Sequence, residues 1–541
     1  MVTATQPEGC PARGAPRRAG LLLALLAAGL PGVASAQAQL QLAAPPPPPG
    51  QGLRVEPSLR VTAVATDNVS FSATNTRADV VVVSTPALKL QGKGPEYELN
   101  GTLAADALVY LGRTLGDRLF PQAAVEGKLQ VLPRLLFLDA DASAKTTPSN
   151  PFAPIGDGPT YLNRNKVARF NLSPHLEREL SQLERLSLRS SHAWSSGFGN
   201  DNAQLSNDAY VETQAALYER RPTPMGLRLS YDRQATEYTR ATGSHVEVRT
   251  ARGAILYAPD PELTLGVIGG RDQGEYSSIR VSDTLRGASL RWAPSQRTLL
   301  DAVAEKRFFG TGWNATLTHR TPYMAFSGNV HRSVSTYASR QAQLTATSDV
   351  AALLDQMLTT RIPDATARAA VVQDIMTKRG LPATLGDPLE IYSETVQLVQ
   401  GGNVSVAWMG PRNTVTLQYF AQRVRDLLAP QDVLTRSADA YQRGASLGAS
   451  HRLTPTLTAD AGVTSSRVIG EGVNTGRRTG NLVWRVGATE TLSPRTTASA
   501  GLKRQLVTTD TPGFSIGGLD VPANSTRVRA TSLSVGVMHR F

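Results

Sequence analysis

The side chains best suited to catalysis in this chain are seven histidines, and they are scattered singly along the sequence. No His-Glu-x-x-His zinc motif, Gly-x-Ser-x-Gly nucleophile turn, phosphate-binding loop or Cys/His pair accompanies them. A catalytic triad can assemble from distant segments, so a missing local motif does not decide the question alone. The scatter favours isolated histidines in a protein that is not an enzyme, and it predicts no metal or cofactor. The histidines are His175, His192, His245, His319, His331, His451 and His539.

A second set of chemically active side chains is charged and lies on the polar faces of alternating segments. Five of them are candidates to line a water-filled interior: Arg189, Arg228, Asp232, Arg291 and Asp460. Opposed rows of charge inside a pore set a transverse field that selects among solutes. The alternative is that these charges pair and merely satisfy one another. The excess of arginine favours an anionic solute or glycan over a cationic one.

The segments that must position these charges alternate between apolar and polar residues from Gly52 onwards. In Leu457–Thr464, for example, Leu, Ala, Ala and Val alternate with Thr, Asp, Gly and Thr. A period of two predicts β-strands with one apolar and one polar face. The chain after residue 36 has no apolar run near the roughly 18 residues that a membrane-spanning helix needs. A barrel needs none, because only alternate residues face lipid.

Ten short connections punctuate this pattern, and most contain Pro with Ser, Thr, Asp or Gly, which preset turn geometry. Longer polar connections alternate with them, as in outer-membrane barrels. Together with a first strand near Leu53–Ala65 and a last strand, they predict an all-β fold, an antiparallel transmembrane β-barrel of about 22 strands, with 20 to 22 the expected range. The turns are Gly92–Pro95, Leu132–Arg134, Ser181–Glu184, Arg221–Pro224, Pro259–Pro261, Pro294–Gln296, Arg320–Pro322, Gly410–Asn413, Leu453–Thr456 and Leu492–Arg495.

The C-terminal segment alternates and then ends on an aromatic residue. Leu533, Val535, Val537, His539 and Phe541 share one face of the predicted last strand. A chain that ends in this way looks like a bacterial outer-membrane barrel, in which the final strand closes the barrel and carries the assembly signal. The pattern therefore predicts the outer membrane as the location. It also predicts contacts with outer-membrane lipid, lipopolysaccharide and the outer-membrane insertion machinery.

The N-terminus predicts export. Arg17-Arg18 precede a short apolar stretch, and Ala34-Ser35-Ala36 forms a small-residue cleavage site, which together indicate a secretory signal peptide. The only cysteine, Cys10, precedes that site, so the mature chain is expected to have no disulfide. We divide the chain into a signal peptide (1–36), a Pro-rich periplasmic linker (37–51) and the barrel (52–541).

The formal net charge is +12, of which about +10 is left after removal of the signal peptide. A basic chain commonly binds nucleic acid. Here the basic residues form no cluster in the sequence, and an exported chain meets lipopolysaccharide and acidic polysaccharide instead. We therefore expect an anionic polysaccharide among the partners and no nucleic acid.

One segment breaks the strand period. Between Ser348 and Arg379 the apolar residues recur at helical spacing, with Asp364 as the N-cap of a second helix and Gly380 able to end it. We predict a helical hairpin insert, residues 348–382, within an outer loop. The insert could plug the lumen, cap its mouth, bind a partner or pack only on itself. Plug or cap is favoured because each helix has an apolar stripe that needs cover.

Several short stretches, spread over most of the mature chain, carry a family resemblance. They are Thr66–Val69, Val80–Val83 leading into Thr85–Leu90, Phe137–Ala140, Leu172–Leu176 and, within the insert, Leu353–Asp355, Arg361–Asp364, Ala367-Arg368 and Arg379–Pro382. In these the chain resembles the outer-membrane β-barrel proteins associated with the PEP-CTERM/exosortase system. The resemblance implies a Gram-negative outer membrane and a link to exopolysaccharide or protein sorting. It assigns no activity to particular residues.

Three functions follow as hypotheses. The first is a porin-like channel or conduit associated with exopolysaccharide export or surface protein sorting. The second is a structural or interaction barrel that anchors surface polysaccharide or proteins. The third, less favoured because of the scattered histidines, is an outer-membrane hydrolase.

Overall fold

Long antiparallel strands make up most of the chain, as the period-two pattern predicts. The computed structural model describes residues 52–148, 150–156, 163–198, 208–238, 245–276, 279–343, 350–379, 381, 388–390, 393, 395–427, 439–516 and 519–541. The predicted signal peptide and linker lie outside the described residues and stay predictions. Gly380, the proposed end of the second helix, also lies outside them.

The barrel strands are β1 (Gly52–Thr66), β2 (Asp79–Lys93), β3 (Tyr97–Tyr110), β4 (Arg118–Leu132), β5 (Leu136–Pro148), β6 (Arg164–Glu179), β7 (Glu184–Phe198), β8 (Ala209–Arg220), β9 (Met225–Tyr238), β10 (His245–Asp260), β11 (Leu263–Tyr276), β12 (Ile279–Ser295), β13 (Thr298–Arg307), β14 (Gly310–Arg320), β15 (Met324–Thr336), β16 (Val396–Met409), β17 (Asn413–Asp426), β18 (Ala440–Arg452), β19 (Leu457–Gly470), β20 (Arg478–Ser493), β21 (Thr496–Thr511) and β24 (Asn524–Arg540). A separate hairpin, β22 (Phe514–Ile516) with β23 (Leu519–Val521), lies in the last long loop.

These strands form one 22-stranded sheet in which each strand pairs with its sequence neighbours. The sheet closes because β1 pairs with both β2 and β24, from Ser58 opposite Arg540 to Thr66 opposite Ser532. Closure leaves no unpaired edge, which is what a spanning sheet requires. The prediction of an all-β antiparallel barrel of about 22 strands is confirmed.

The ten predicted short turns all connect consecutive strands at one end of the barrel, from the β2–β3 turn to the β20–β21 turn. We call this the turn end, and the opposite end the loop end. Large aromatic side chains on or next to the outward surface gather at the turn end, where amphipathic rings suit a membrane interface. They are Tyr97, Tyr218, Tyr257, Trp292, Tyr323, Trp408 and Phe541.

Outward-facing residues form an apolar band over much of the strands, and most inward-facing residues are small or polar. On β24, Leu533, Val535 and Val537 are 55%, 57% and 46% exposed, whereas Ser532 on the other face is buried. The same alternation recurs on β17, where Leu417 and Tyr419 point outward. Exposed apolar side chains in a continuous band around a closed sheet are suited to contact with lipid rather than water.

Three helices occupy the connection between β15 and β16: α1 (Tyr337–Gln343), α2 (Val350–Leu358) and α3 (Ala365–Lys378). Asp364 caps α3 by accepting a hydrogen bond from the amide of Ala367 at 2.7 Å, as the sequence predicts. The spacing of apolar residues predicts α2 and α3 but not α1. None of the described helices is long and apolar enough to cross a membrane.

Candidate functional site

The helical hairpin formed by α2 and α3 lies inside the barrel. Its buried residues pack against inward-facing strand residues Ala325, Ala407 and Met409, which lie next to short turns. The hairpin is therefore seated at the turn end of the lumen. Its side of the contact consists of Val350, Leu353, Leu354, Met357, Leu358, Val372 and Met376.

Polar contacts fix the end of α3 to the β16–β17 turn and to β19. The Arg379 guanidinium donates to the carbonyls of Gly410 and Asn413 at 3.5 and 3.3 Å. The Thr458 hydroxyl donates to the carbonyl of Lys378 at 2.9 Å, so a strand residue satisfies one of the free carbonyls of the helix end. Burial, with the charge of Arg452, lowers the pKa of Arg379 from its ordinary value, but an arginine stays charged at neutral pH.

At the loop end, two connecting segments fold inward. Val69 and Phe71, which follow β1, are buried against inward-facing residues of neighbouring strands. Phe152, which follows β5, packs in a cluster with Val399 and other residues of β16 to β19. The Gln505 side chain donates to the carbonyl of Ile155 at 3.0 Å. Segment 150–156 therefore extends from β5 to the strands that precede the C-terminus.

The chain between β15 and β16 contributes to the same closure. In α1, Tyr337 is buried, and Ala338 is buried against residues of β7, β8 and β9. The Tyr238 hydroxyl donates to the carbonyl of Ser393 at 3.3 Å, and Arg340 pairs with Glu390 at 2.9 Å. Helix α1, residues 388–390 and Ser393 therefore lie at the loop end. The described lumen is occupied at both ends.

All five charges predicted to line the interior lie on inward faces, and four of them are paired. The pairs are Arg189 with Asp139 (3.0 Å), Arg228 with Glu219 (2.5 Å), Asp232 with Arg252 (2.8 Å) and Arg291 with Asp301 (3.2 Å). The fifth, Asp460, lies on β19 opposite Gly487. The structure brings Arg228, Asp232 and Arg291 into one sector of the wall, and places Arg189 and Asp460 elsewhere.

Two further ion-pair groups in this sector are not predicted from the sequence. Arg252 also pairs with Glu305 at 2.8 Å, and Arg307 pairs with Asp272 at 2.8 Å. These partners are on non-adjacent strands, so their contact depends on barrel register and curvature. The sequence indicates only that these four side chains lie on the polar faces of alternating segments. Paired charges leave a hydrated but largely neutralised wall.

A cavity of about 500 Å³ lies against this sector of the wall. Residues of β9 to β14 line it, so it ends one strand short of β15, which contacts α2. Its polar lining includes Arg228, Arg252, Arg291, Asp301, Glu305, Asn314 and Thr316. Such a lining is suited to a hydrated polar solute.

The residues of the predicted assembly signal lie along the outer face of the closing seam. Leu533, Val535 and Val537 are exposed there. The His539 ring contacts the Thr496 hydroxyl at 2.9 Å and lies edge-on to the Phe541 ring, with centroids 4.9 Å apart. The amide of Phe541 donates to the carbonyl of Pro57 of β1 at 3.0 Å. The terminal aromatic residue is thus held on β1.

One histidine lies within hydrogen-bonding distance of a serine hydroxyl, as the base does in the catalytic site of a serine hydrolase. On the outward face, His192 Nε2 lies 3.0 Å from the Ser190 hydroxyl, and its Nδ1 lies 2.7 Å from the Tyr210 hydroxyl. The neighbouring carboxylate of Glu212 is engaged by Arg233 and Gln214 instead. In the described part of the chain, no group of three or more His, Cys, Asp or Glu residues is placed to hold a metal ion.

We expect Ser190→Ala to leave ester turnover at the background level. The ring of His192 faces a phenol rather than the carboxylate that orients the base in a serine triad. The assay is release of fatty acid from phospholipid vesicles by the purified barrel. His319→Ala is the control, because His319 also contacts a hydroxyl, that of Thr298 at 2.8 Å. A turnover that the wild type shows and only Ser190→Ala abolishes would establish a hydrolase.

No family model matches this chain, and no curated protein matches it. Among solved structures, it is similar to the siderophore receptor PiuA from Acinetobacter baumannii, with a TM-score of 0.44 and 9% identity over 90% of this chain and 82% of that chain. It is also similar to the unliganded ferric citrate transporter FecA, with a TM-score of 0.44 and 10% identity over 91% of this chain and 79% of that chain. The similarity to OmpT, an outer membrane protein of Vibrio cholerae, has a TM-score of 0.29 and 8% identity over 90% of this chain and 97% of that chain. These likenesses are too distant to carry a property of those proteins to this chain.

Proposed function

We propose that this chain is a bacterial outer-membrane β-barrel that acts as a porin-like channel or conduit, closed by its own helical hairpin. The observation that carries the proposal is the hairpin of α2 and α3 seated inside a closed 22-stranded barrel beside a polar cavity. A barrel of this size encloses a lumen wide enough for a solute unless something fills it. A separate helical element at the turn end is well placed to act as a gate.

The lining of the cavity supports a hydrated solute without strong charge. Most of the predicted lumen charges are neutralised by partners, which weakens any transverse field. Hydroxyl, amide and paired guanidinium groups suit a polysaccharide or its fragments. The resemblance to PEP-CTERM-associated barrels supports a role in exopolysaccharide export or surface protein sorting. Moderately anionic glycans stay within this proposal because arginines outnumber carboxylates in the cavity lining.

Location and partners are part of the same proposal. The apolar outward band and the closed sheet support a membrane setting, and the aromatic C-terminal strand supports recognition by the outer-membrane insertion machinery. The predicted signal peptide supplies export. We propose lipopolysaccharide and outer-membrane lipid as surroundings, anionic polysaccharide as a partner, and no enzymatic role.

Deletion of residues 348–382 should convert the barrel into an open pore. The deletion removes the hairpin core but leaves every barrel strand and the described residues of α1 in place. In liposome-swelling assays we expect the variant to admit neutral oligosaccharides that the wild type excludes. The swelling rate should fall as the sugar becomes larger. Equal exclusion by a folded deletion variant would contradict the channel.

The second candidate function is a closed structural or interaction barrel. The inward-folded segments at the loop end favour it, because they occupy the lumen independently of the hairpin. In that case the deletion variant would still exclude sugars, while surface polysaccharide or proteins would detach from cells that lack the barrel. The swelling assay therefore separates the two functions.

A further inference from the structure

Five arginines form a patch on the outward surface near the loop end, which we call the arginine belt. They are Arg443 of β18, Arg467 of β19, Arg504 of β21, and Arg527 and Arg529 of β24. The strand registers place them on the outward face: Arg467 shares a strand face with exposed Val463, and Arg529 lies opposite Leu506. They therefore border the apolar outward band on the side away from the short turns.

Carboxylates do not neutralise the belt. Within the described residues, none of its five arginines has an Asp or Glu within ion-pair distance, although neighbouring Arg423 and Arg425 share Glu471 at 2.9 and 3.4 Å. Arg443 lies directly opposite Arg467 in the register of β18 and β19. Like charges in opposite positions destabilise a sheet. A bound anion would offset this repulsion.

Another sector of the outward surface shows a different arrangement. There, Arg233 and Arg249 both contact Glu247, and Arg233 also reaches Glu212 at 3.0 Å. Basic residues in that sector are supplied with carboxylates from the chain itself. The arginine belt therefore differs by lacking internal anions, not by having arginine as such.

The belt lines a groove of about 770 Å³ whose floor is partly apolar. Tyr419, Leu482 and Leu506, which all point outward, contribute to it together with the five arginines. The groove thus presents cationic groups directly beside apolar surface. An amphiphile with an anionic headgroup and acyl chains fits both parts at once, whereas a soluble anion would leave the apolar part in water.

We propose that the arginine belt binds the phosphate groups of a phosphorylated glycolipid in the outer leaflet, with the acyl chains against the apolar outward band. Guanidinium groups bind phosphate through paired, charge-assisted hydrogen bonds. Lipopolysaccharide carries such phosphates on its lipid A. The inference rests on the proposed outer-membrane location, but not on the channel function.

The test compares two triple variants with the same change in charge. One is Arg443→Gln/Arg467→Gln/Arg527→Gln, within the belt. The control is Arg233→Gln/Arg249→Gln/Arg280→Gln, three outward arginines of β9, β10 and β12 that pair with Glu247 or Glu275. Each purified barrel is titrated with fluorescent lipopolysaccharide in a neutral detergent. Removing three arginines should weaken binding on the order of 100-fold, because each basic residue near an anionic lipid surface strengthens binding roughly fivefold. The control should bind nearly as the wild type does.

Competition and folding readouts complete the test. Inorganic pyrophosphate at millimolar concentration should displace little lipopolysaccharide from the wild type. Equal affinity for pyrophosphate would overturn the lipid assignment, and so would equal losses in the two triple variants or no loss in the belt variant. Heat-modifiable migration on gels verifies that each variant forms a barrel. Swelling of liposomes by the 348–382 deletion variant is scored separately, so failure of the channel does not count against the belt.

Discussion

Replacing Leu354 with aspartate should open the barrel. Leu354 is fully buried in α2, within the cluster that includes Ala325, Ala407 and Met409 of the wall. An ionised carboxylate there has no described partner and costs several kcal/mol to bury. Because the hairpin contacts the wall through this cluster and a few polar contacts, its detachment is less costly than unfolding the barrel. We expect a large rise in ion current across planar bilayers and in uptake of bulky hydrophilic antibiotics by cells.

The matched control for this variant is Val371→Asp. Val371 lies on α3 and is 37% exposed, so the same new charge reaches water without disturbing the cluster. It should conduct as the wild type does. If both variants conduct equally, charge in the lumen rather than loss of the hairpin contact opens the barrel. If neither conducts although both fold, the hairpin is not the gate.

Replacing Phe541 with aspartate should strongly reduce the amount of assembled barrel in the outer membrane. The ring lies on the outward seam beside His539, and its amide bonds to the carbonyl of Pro57 on the first strand. A charge at this end of the apolar band opposes insertion, and the assembly signal loses its aromatic terminus. The measurement is the fraction of heat-modifiable protein in outer-membrane preparations, which we expect to fall at least about fivefold.

Val473→Asp provides the comparison for Phe541→Asp. Val473 is 79% exposed in a connecting loop, so it adds the same charge to an apolar position outside the strands. Its assembly should match that of the wild type. Unchanged heat-modifiable protein in Phe541→Asp would contradict the role given to the terminal strand.

The barrel itself could be predicted from sequence because its rules are local. Period-two alternation identifies which face of Leu457–Thr464 is apolar, and Pro- or Gly-containing turns such as Gly92–Pro95 mark where strands reverse. Since every strand pairs with its neighbour in sequence, local rules also give the topology. Closure between β1 and β24 follows from the need to leave no edge.

The contents of the lumen could not be predicted in the same way. Phe152 is one aromatic residue in a polar loop, and its contacts with Val399 and Val424 span much of the sequence. Helix α1 follows β15 without a break, and only Thr336 marks its start, by accepting a hydrogen bond from the amide of Ser339 at 3.1 Å. The ion pair between Arg252 and Glu305 joins β10 to β13, so predicting it requires the distance between strands that are not neighbours. The apolar stripes of α2 and α3 predict helices. Their position at the turn end depends on contacts with Ala325 and Ala407, and nothing in the sequence pairs these distant alanines with the helices.

The most direct test of the gate is the single-channel conductance of the barrel with and without residues 348–382 in the same planar bilayer. A Ser289→Cys substitution adds a thiol to the cavity wall of both forms, and the mature chain is predicted to contain no other. We predict that the complete chain stays closed. The deletion variant should show large, steady openings that a membrane-impermeant thiol reagent blocks. A heat-modifiable deletion variant that stays shut, or openings that modification of the thiol leaves unchanged, would contradict passage through this lumen.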